Sequence, residues 1–508
     1  MRHTWRPRID SKGPFVSTLA DALPLNTNTL GSLGDVPTPR YDRTSVTAGI
    51  VHFGVGGFHR AHQAFYIDQL LASDPSWGIC GVGVRPADAR MRDALVPQDG
   101  LYTLTLKHPD GAVETSVIGS IVEYLYAPDD PEAVLEKLAD PAVRIVSLTV
   151  TEGGYNFSAA TGEFDADNPD IVADLSRNAA PTTVFGLVVE GLARRRERGV
   201  PSFTVMSCDN IAGNGHMARS TFLAYAWLRD PELAAWIDEH TRFPNSMVDR
   251  ITPATPPELA GEVAQRTGIA DAWPVVAEPF TQWVLEDDFS CGRPALEDVG
   301  VQVVADVTPY ELMKLRLLNA GHQALCYFAH LLGYRYVHDA AVDPDLRELL
   351  RRYMSEEGKP TLAPLPDVDV DAYIETLLER FGNPAIADTI ARLCQDSSNR
   401  IPKWLVPVIR DRLAQRGSVR LAAAVVASWT RYAEGVDEHG NAITVDDPLA
   451  DRLVPLAQRS RTDPLAFLSE TSLFGDLVEY EAFTEPYLWA LESLRSSGAR
   501  ATLRELLS

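Results

Sequence analysis

The sequence predicts an α/β N-terminal domain followed by a mainly α-helical C-terminal domain. Over roughly the first 300 residues, short apolar runs alternate with helical patterns, which is typical of a mainly parallel sheet. After about Val307 apolar residues recur with a helical period and strand signals fade. The length of 508 residues provides material for about two to four domains.

The α/β domain is predicted to span residues 46–306. Residues 1–45, rich in Pro, Thr, Asn and Asp, precede it as an irregular arm with one short apolar helix near 19–23. Buried strands are predicted where apolar residues run together, at 49–53, 79–84, 144–151 and 203–207. Alternating apolar residues predict an antiparallel pair at 102–106 and 114–121, and helical patterns cover 60–71 and 183–196.

The C-terminal domain is predicted to span residues 307–508 and to carry the substrate and catalytic groups. Its apolar residues repeat with the 3.6-residue period of helices. The predicted helices are 309–332, 344–356, 369–381, 384–395, 403–415, 418–434 and 484–507.

Composition narrows the classes of partner. A net charge of −24 argues against binding to nucleic-acid phosphates or to an anionic membrane surface. The five cysteines are scattered without metal-ligand spacing, which favours a reducing cytoplasm over a disulfide framework. No apolar run approaches the roughly 20 residues of a membrane span. The sequence therefore predicts a cytoplasmic protein that binds small molecules.

A glycine cluster lies between the first predicted strand and its helix. Gly54, Gly56 and Gly57 would allow a tight turn and bring backbone N–H groups against a pyrophosphate at the helix N-terminus. His59 stands where the usual pattern has a third glycine. This arrangement predicts a Rossmann-like dinucleotide-binding domain. His59 and His62 have a spacing that suits a metal, but no third ligand accompanies them, so no metal is predicted.

Asp88 follows the second predicted strand, where an acid commonly binds the ribose hydroxyls of the cofactor. A carboxylate there favours NAD by repelling the 2′-phosphate of NADP. Arg85 points the other way, because an arginine can accept that phosphate. An ordinary helix-cap aspartate is the alternative interpretation of Asp88.

The segment 310–328 is apolar on nearly every side, yet four polar residues share one face. Taken as an α-helix, it places them within about 140° of arc; they are Glu311, Lys314, Asn319 and His322. Burial lowers the pKa of a lysine toward neutrality, which makes it usable as a general base. The segment predicts a proton-transfer site, with a structural polar network as the alternative.

Five motifs in order resemble those of the polyol-specific long-chain dehydrogenases. The resemblance extends from about residue 48 almost to the C-terminus. The motifs are Gly-Val-Gly-Gly-Phe-His-Arg-Ala-His (54–62), Thr-Glu-Gly-Gly-Tyr (151–155), Ser-Cys-Asp-Asn (207–210), Phe-Pro-Asn-Ser-Met-Val-Asp-Arg-Ile-Thr-Pro (243–253) and Lys-x4-Asn-x2-His (314–322).

The resemblance implies a zinc-free, reversible oxidation of a polyol with NAD, D-mannitol at C2 being converted to D-fructose. Lys314 matches the general base of the family, and Asn210 and Asn319 match the amides that stabilise the oxyanion. His322 would hold the substrate or orient the lysine. Glu311 would relay protons to solvent or serve as an ion-pair partner.

The resemblance also implies residues that bind the two ligands. The substrate-binding residues are Asp249, Arg392 and Arg400, the last of which stands where close relatives have lysine. Taken without the resemblance, Asp249 would be a buried partner of Arg250 or Arg242. The cofactor-binding residues are Gly54, Val55, Gly56, Gly57, Phe58, His59, Arg60, Asp88 and Glu152.

Other activities stay open at this level. The related reactions are those of fructuronate or tagaturonate reductases (mannonate and altronate oxidoreductases) and of D-arabinitol dehydrogenases. A hexuronate would need cations for its carboxylate, which Arg392, Arg400 and Lys403 could supply. A non-catalytic NAD-binding sensor belongs to a different class, but it would have no use for a buried base beside two amides. A monomer or small homo-oligomer is expected.

Overall fold

The computed structural model describes residues 22–157, 163–176, 180–365 and 367–508. The chain divides into two compact units, Met1–Lys107 with Val113–Ala305 and His108–Ala112 with Asp306–Ser508. Most of the apolar helix predicted near 19–23 lies outside the described residues. Its described end belongs to the strand Leu23–Pro24, which pairs with Ile269–Ala270.

A five-stranded parallel sheet forms the centre of the first unit, as predicted for an α/β domain. Its strands follow the order Ile121–Tyr126, Gly78–Gly83, Ala48–Phe53, Ile145–Leu148 and Thr204–Ser207. The inner strands are buried along their whole length because helices cover both faces. Chain order reverses between Ala48–Phe53 and Ile145–Leu148. Dinucleotides bind at such a switch point, outside the carboxyl ends of the strands.

The predicted strand at 114–121 is in fact two strands. Val113–Ile118 pairs antiparallel with Tyr102–Lys107, as expected, whereas Ile121 begins an edge strand of the main sheet. Tyr102–Lys107 also pairs with Val275–Ala277. A further three-stranded sheet has Gln282–Glu286 at its centre, between Ser246–Asp249 and Gln302–Val304.

Helices flank the sheets of the first unit. The predicted helix at 60–71 is interrupted at His62, whose backbone leaves the helical region. Side-chain caps fix several starts: Thr183, for example, accepts the amide of Gly186 and begins the helix predicted at 183–196. The helices are Gly57–Ala61, Gln63–Leu70, Ala89–Leu95, Pro131–Ala139, Pro169–Asp174, Val184–Arg198, Asn214–Arg229, Pro231–His240 and Leu259–Thr267.

The second unit is helical, as predicted. At its centre the buried helix Arg420–Ala433 packs against Glu481–Ser496. Its remaining α-helices are Thr308–Met313, Ala320–Leu331, Val337–Ala341, Pro344–Arg352, Val370–Phe381, Ile390–Cys394, Ser397–Trp404, Val406–Ala414, Ala450–Arg459, Thr471–Phe474 and Gly498–Leu507. Among the described residues, no helix has the length and apolar character needed to cross a membrane.

Five predicted helices of this unit have different bounds. The one at 484–507 is two helices, Glu481–Ser496 and Gly498–Leu507, and the one at 344–356 is α-helical only to Arg352 and continues as the π-helical segment Tyr353–Gly358. The one at 309–332 is interrupted by a π-helical segment, Lys314–Asn319. The one at 384–395 begins only at Ile390, after the extended Thr389 whose hydroxyl caps it. The one at 403–415 starts at Val406, because Ser397–Trp404 forms a separate helix.

Candidate active site

Three of the sequence motifs, and Asp88, follow the carboxyl ends of parallel strands in the main sheet. Since these ends meet at one edge of the sheet, the residues after them form one group. The group contains the glycine loop after Phe53, the turn to Asp88 after Gly83, the segment to Glu152 after Leu148 and Asn210 after Ser207.

The glycine loop begins at a position that only glycine can occupy. Gly54 has φ +94°, and a Cβ added there would lie 2.1 Å from the carbonyl oxygen of Thr149. The Thr149 hydroxyl donates to the Gly54 carbonyl at 2.7 Å. A Cβ on Gly56 would meet only one atom, 3.8 Å away. The loop is therefore locked to the neighbouring strand and leaves room for a phosphate group, so the residues fit a dinucleotide.

Two stacked imidazoles lie beneath this loop. The rings of His52 and His59 are parallel within 12° and their centroids are 3.4 Å apart. His52 bonds to Ser147 through Nδ1 at 2.8 Å and to Thr149 through Nε2 at 3.0 Å. Burial lowers the pKa of His52 to about 3 and that of His59 well below its usual value. Both rings are thus neutral supports of the loop.

Arg60 is also turned into the interior of the unit. Its guanidinium donates to the carbonyl oxygens of Gly56 and Trp273, and lies 5.2 Å from the ring centroid of Tyr102. His62 bonds to the carbonyl of Gln282 at 2.8 Å. The side chains of His59 and Arg60 therefore support the glycine loop from within the unit, and a role of theirs in cofactor binding stays a prediction.

Asp88 ends a short 3₁₀ helix directly after the second strand. One carboxylate oxygen accepts the amides of Val84 and Arg85, both at 2.9 Å. The interpretation of Asp88 as a helix cap therefore accounts for one of its two carboxylate oxygens. The side chain is only partly buried and stands at the strand end where a ribose-binding acid is expected.

Asp209 joins two of the strand ends. Its buried carboxylate accepts the amide of Thr151 at 2.7 Å and the hydroxyl of Tyr155 at 2.8 Å. Burial raises its pKa. Thr151 has φ +65° and ψ +167°, a strained region used almost only by glycine. Asp209 thus holds the strained turn before Glu152 and directly precedes Asn210, an exposed residue.

Asp249 ends the strand Ser246–Asp249 and is 5% exposed. The neighbouring Arg250 donates to the carbonyl oxygens of Glu278 and Ala61, at 2.9 and 2.6 Å. Arg242 pairs instead with Asp288. Asp249 is therefore a buried carboxylate at a strand end, beside an arginine that is itself held by backbone carbonyls.

In the second unit the predicted catalytic residues lie on one interrupted helix. Lys314 begins the π-helical segment and Asn319 ends it; they are 6% and 5% exposed. Glu311 and His322, one turn outside each end, are partly buried. The ring of His322 stacks on Phe381 with centroids 4.2 Å apart.

Arg392 forms an ion pair with Asp388. Its Nε donates to the Asp388 carboxylate at 2.6 Å, which raises the pKa of Arg392. Burial works to raise the pKa of Asp388, but the bonds and charge of Arg392, with a smaller contribution from His322, hold it below its usual value. Arg400 donates to the carbonyls of Arg392 and Leu393. These residues therefore form one connected cluster.

No group of three or more His, Cys, Asp or Glu side chains in the described parts of the chain could hold a metal ion. His62, which the sequence spacing pairs with His59, has its two ring nitrogens bonded to Gln63 and to the Gln282 carbonyl.

Sequence comparison matches both units to a single family. The description "Mannitol dehydrogenase Rossmann domain" matches residues 48–298, and "Mannitol dehydrogenase C-terminal domain" matches residues 306–495. The chain belongs to the mannitol dehydrogenase family. Mannitol 2-dehydrogenase of Phaeosphaeria nodorum is 47% identical over 95% of this chain and 85% of its own length. Mannitol 2-dehydrogenase of Aspergillus fumigatus is 46% identical over 94% and 96%.

Two solved structures have the same fold as this chain. The Pseudomonas fluorescens mannitol 2-dehydrogenase, in ternary complex with NAD and D-mannitol, is 45% identical, with a TM-score of 0.82 over 96% of this chain and 99% of the other. A D-sorbitol dehydrogenase in substrate-free form is 41% identical, with a TM-score of 0.90 over 94% and 100%. The expected fold class and family are thereby confirmed.

The sequence alone did not predict three features of the candidate active site. Asp209 was passed over although it lies between a strand end and Asn210. Asp388 gave a weak signal, its four-residue spacing from Arg392. The π-helical segment gave none, because the apolar pattern around Lys314 also fits an ordinary helix.

Proposed function

We infer that this chain catalyses the reversible NAD-dependent oxidation of D-mannitol at C2 to D-fructose. The observation that carries the inference is the buried Lys314, which shares a helical segment with Asn319 in a chain that matches mannitol 2-dehydrogenases over nearly its full length. Burial of an ammonium group costs free energy, and such lysines occur often at proton-transfer sites. Proton abstraction from a carbinol is a use that fits the family.

The proposed division of labour follows from the chemistry of each side chain. Lys314 accepts the proton of the C2 hydroxyl during oxidation and returns it during ketose reduction. Asn210 and Asn319 donate to the developing alkoxide, and as neutral amides they do so without fixing the lysine in one charge state. Glu311, partly buried, passes the proton toward solvent. NAD, when bound at the glycine loop, supplies the hydride acceptor.

Four residues are assigned to the substrate hydroxyls. The buried carboxylate of Asp249 suits hydroxyl donors. His322, held by its stack on Phe381, offers a fixed ring nitrogen to the sugar or to the lysine. Arg392 and Arg400 are assigned to the distal hydroxyls. Asp88 is assigned to the cofactor ribose and favours NAD; Ala87, where close relatives have an acid, loosens that preference.

The hexuronate alternative is less well supported than a neutral polyol. A substrate carboxylate requires cations that are not already neutralised. The guanidinium of Arg392 is paired with Asp388, so this cluster offers less net positive charge than the sequence suggested. D-Sorbitol is a better second candidate, because the chain is 41% identical to a D-sorbitol dehydrogenase.

Two further properties are proposed from simpler observations. All five cysteines carry free thiols, which suits a cytoplasmic location. A monomer or small homo-oligomer remains the proposed assembly.

Initial rates of NAD reduction with D-mannitol, D-sorbitol, D-arabinitol and D-mannonate test the proposal. D-Mannitol should be preferred, and Lys314→Ala should lower kcat by about 10²- to 10⁴-fold. Lys359→Ala is the matched control, since Lys359 is a partly exposed lysine of the same unit paired with Asp371. Turnover of mannonate alone would move the chain to the hexuronate branch. An unaffected Lys314→Ala would refute the assigned base.

A further inference from the structure

The catalytic helix changes its winding between Lys314 and Asn319. These two residues begin and end a π-helical segment, in which amides bond five residues back instead of four. The amide of Ala320 shows this: it donates to the carbonyl oxygens of Leu315 and Leu317. It therefore does not make the α-helical bond to the carbonyl of Arg316.

This winding changes which residues share a face. In an α-helix, at about 100° per residue, Lys314 and Asn319 would point about 140° apart. A π-helix turns by about 82° per residue, which reduces their separation to about 50°. The four polar residues from Glu311 to His322 then fall within about 70° of arc, half of what a regular helix gives. The π-helical segment is thus what aligns the base with the amide.

A tyrosine hydroxyl takes the place of the missing backbone bond. Tyr353 is fully buried, and its hydroxyl donates to the carbonyl oxygen of Arg316 at 3.2 Å. In a regular helix that carbonyl would be satisfied by Ala320, and a buried carbonyl needs a partner. The tyrosine therefore stabilises the π-helical winding relative to the α-helical one.

The residues around Tyr353 fix its position and leave room for the π-helical segment 314–319. Tyr353 begins a second π-helical segment that ends at Gly358. A Cβ on Gly358 would lie 2.8 Å from the Cδ2 of Leu317, so an added methyl would displace that side chain. Glu357 anchors the same segment by accepting the amides of Leu421 and Ala422, both at 2.8 Å.

We propose that Tyr353 is a positioning residue that, through the carbonyl of Arg316, holds the π-helical segment 314–319 and so keeps Lys314 and Asn319 on one face. The inference rests on the proposed function for its kinetic consequence, but the structural device stands on contacts within the second unit alone. Tyr353 acts through the helix and does not touch the reacting atoms.

The test compares Tyr353→Phe with Tyr487→Phe. Both changes remove a buried tyrosine hydroxyl from the same unit, but that of Tyr487 bonds to Thr430, away from the segment. Tyr353→Phe should lower kcat for D-mannitol about 10-fold or more and alter its pH profile, with the Kd for NAD unchanged. Tyr487→Phe should keep the wild-type kcat and pH profile. Equal kinetics in the two variants would overturn the proposal.

A crystal structure of Tyr353→Phe supplies the second readout, which does not depend on activity. An Ala320 amide bonded to the Arg316 carbonyl would support the device, and an unchanged π-helical segment would refute it. If the wild type oxidised no polyol, the proposed function would fail while this readout still decided the role of Tyr353. Should Tyr353→Phe not fold, Gly358→Ala disturbs the segment through Leu317 and is expected to lower kcat in the same way.

Discussion

The carboxylate of Asp209 accepts the backbone amide of Thr151 at 2.7 Å, and so ties together two strand ends of the parallel sheet. The bond holds Thr151 in a conformation that costs about 1–3 kcal/mol for a residue other than glycine. The same bond fixes the start of the segment that carries Glu152. It also fixes Asp209 itself, which directly precedes Asn210.

Asp209→Asn should therefore impair both stability and catalysis. An amide offers one acceptor oxygen where the carboxylate offers two, and its NH₂ would face hydrogen-bond donors. We expect a loss of about 2 kcal/mol in the free energy of unfolding and a fall of about 10-fold in kcat/KM. Asp74→Asn is the control, because Asp74 caps another turn of the same unit. A kinetic effect no larger than that of the control would contradict the assignment.

Gly54→Ala should abolish tight cofactor binding. The added methyl would lie 2.1 Å from the Thr149 carbonyl oxygen, and the φ of +94° disfavours any side chain. The Kd for NADH, followed by fluorescence, should rise more than about 10-fold. Gly31→Ala serves as control, since a methyl there meets nothing within 4 Å. Unchanged NADH binding in Gly54→Ala would show that the loop does not hold the cofactor.

Stability should decline in acid because of the stacked imidazoles. The pKa of His52 is about 3 in the fold against 6.5 in its absence, so the unfolded chain binds more protons in between. The stability contribution is complete above pH 6.5 and is lost toward pH 3, by about 1.4 kcal/mol per pH unit. Urea unfolding at several pH values should show a shallower dependence for His52→Gln than for the exposed-residue variant His439→Gln. Identical pH dependence of the free energy of unfolding in the two variants would contradict this role of His52.

The product of D-sorbitol oxidation should reveal at which end of the polyol the enzyme selects the configuration. D-Sorbitol differs from D-mannitol only at C2, so its C5 end presents the same configuration as the reacting end of D-mannitol. An enzyme that selects the configuration at and beside the reacting carbon should oxidise D-sorbitol at C5, giving L-sorbose. Chromatography of the ketose product distinguishes L-sorbose from D-fructose. Formation of D-fructose would mean that the distal hydroxyls decide the orientation of the substrate.

Much of the architecture followed from periodicity alone. The parallel strands, the glycine loop between Phe53 and Gly57 and the helical second unit were predictable because burial imposes strong apolar patterns on regular elements. The one-face cluster containing Lys314 and His322 was predicted from helical spacing. The family motifs then supplied Asn210 and Asp249, which have no distinctive local pattern.

The remaining features depend on contacts between distant parts of the chain. The winding at Lys314–Asn319 is stabilised by Tyr353, which is 39 residues beyond the base and bears no local signal. The left-handed backbone of Thr151 is compensated by Asp209 from another strand. Local propensity argues against both conformations, so tertiary hydrogen bonds decide them.

The stack of His52 on His59 also affects how such chains can be found by pattern searches. Because a histidine ring occupies the place of the third glycine, a search that demands G-x-G-x-x-G will overlook this loop. A pattern that instead requires a histidine two residues before the first glycine and another five residues after it captures the pair that packs together. Substitutions at those two positions should accompany one another among sequences that keep the loop.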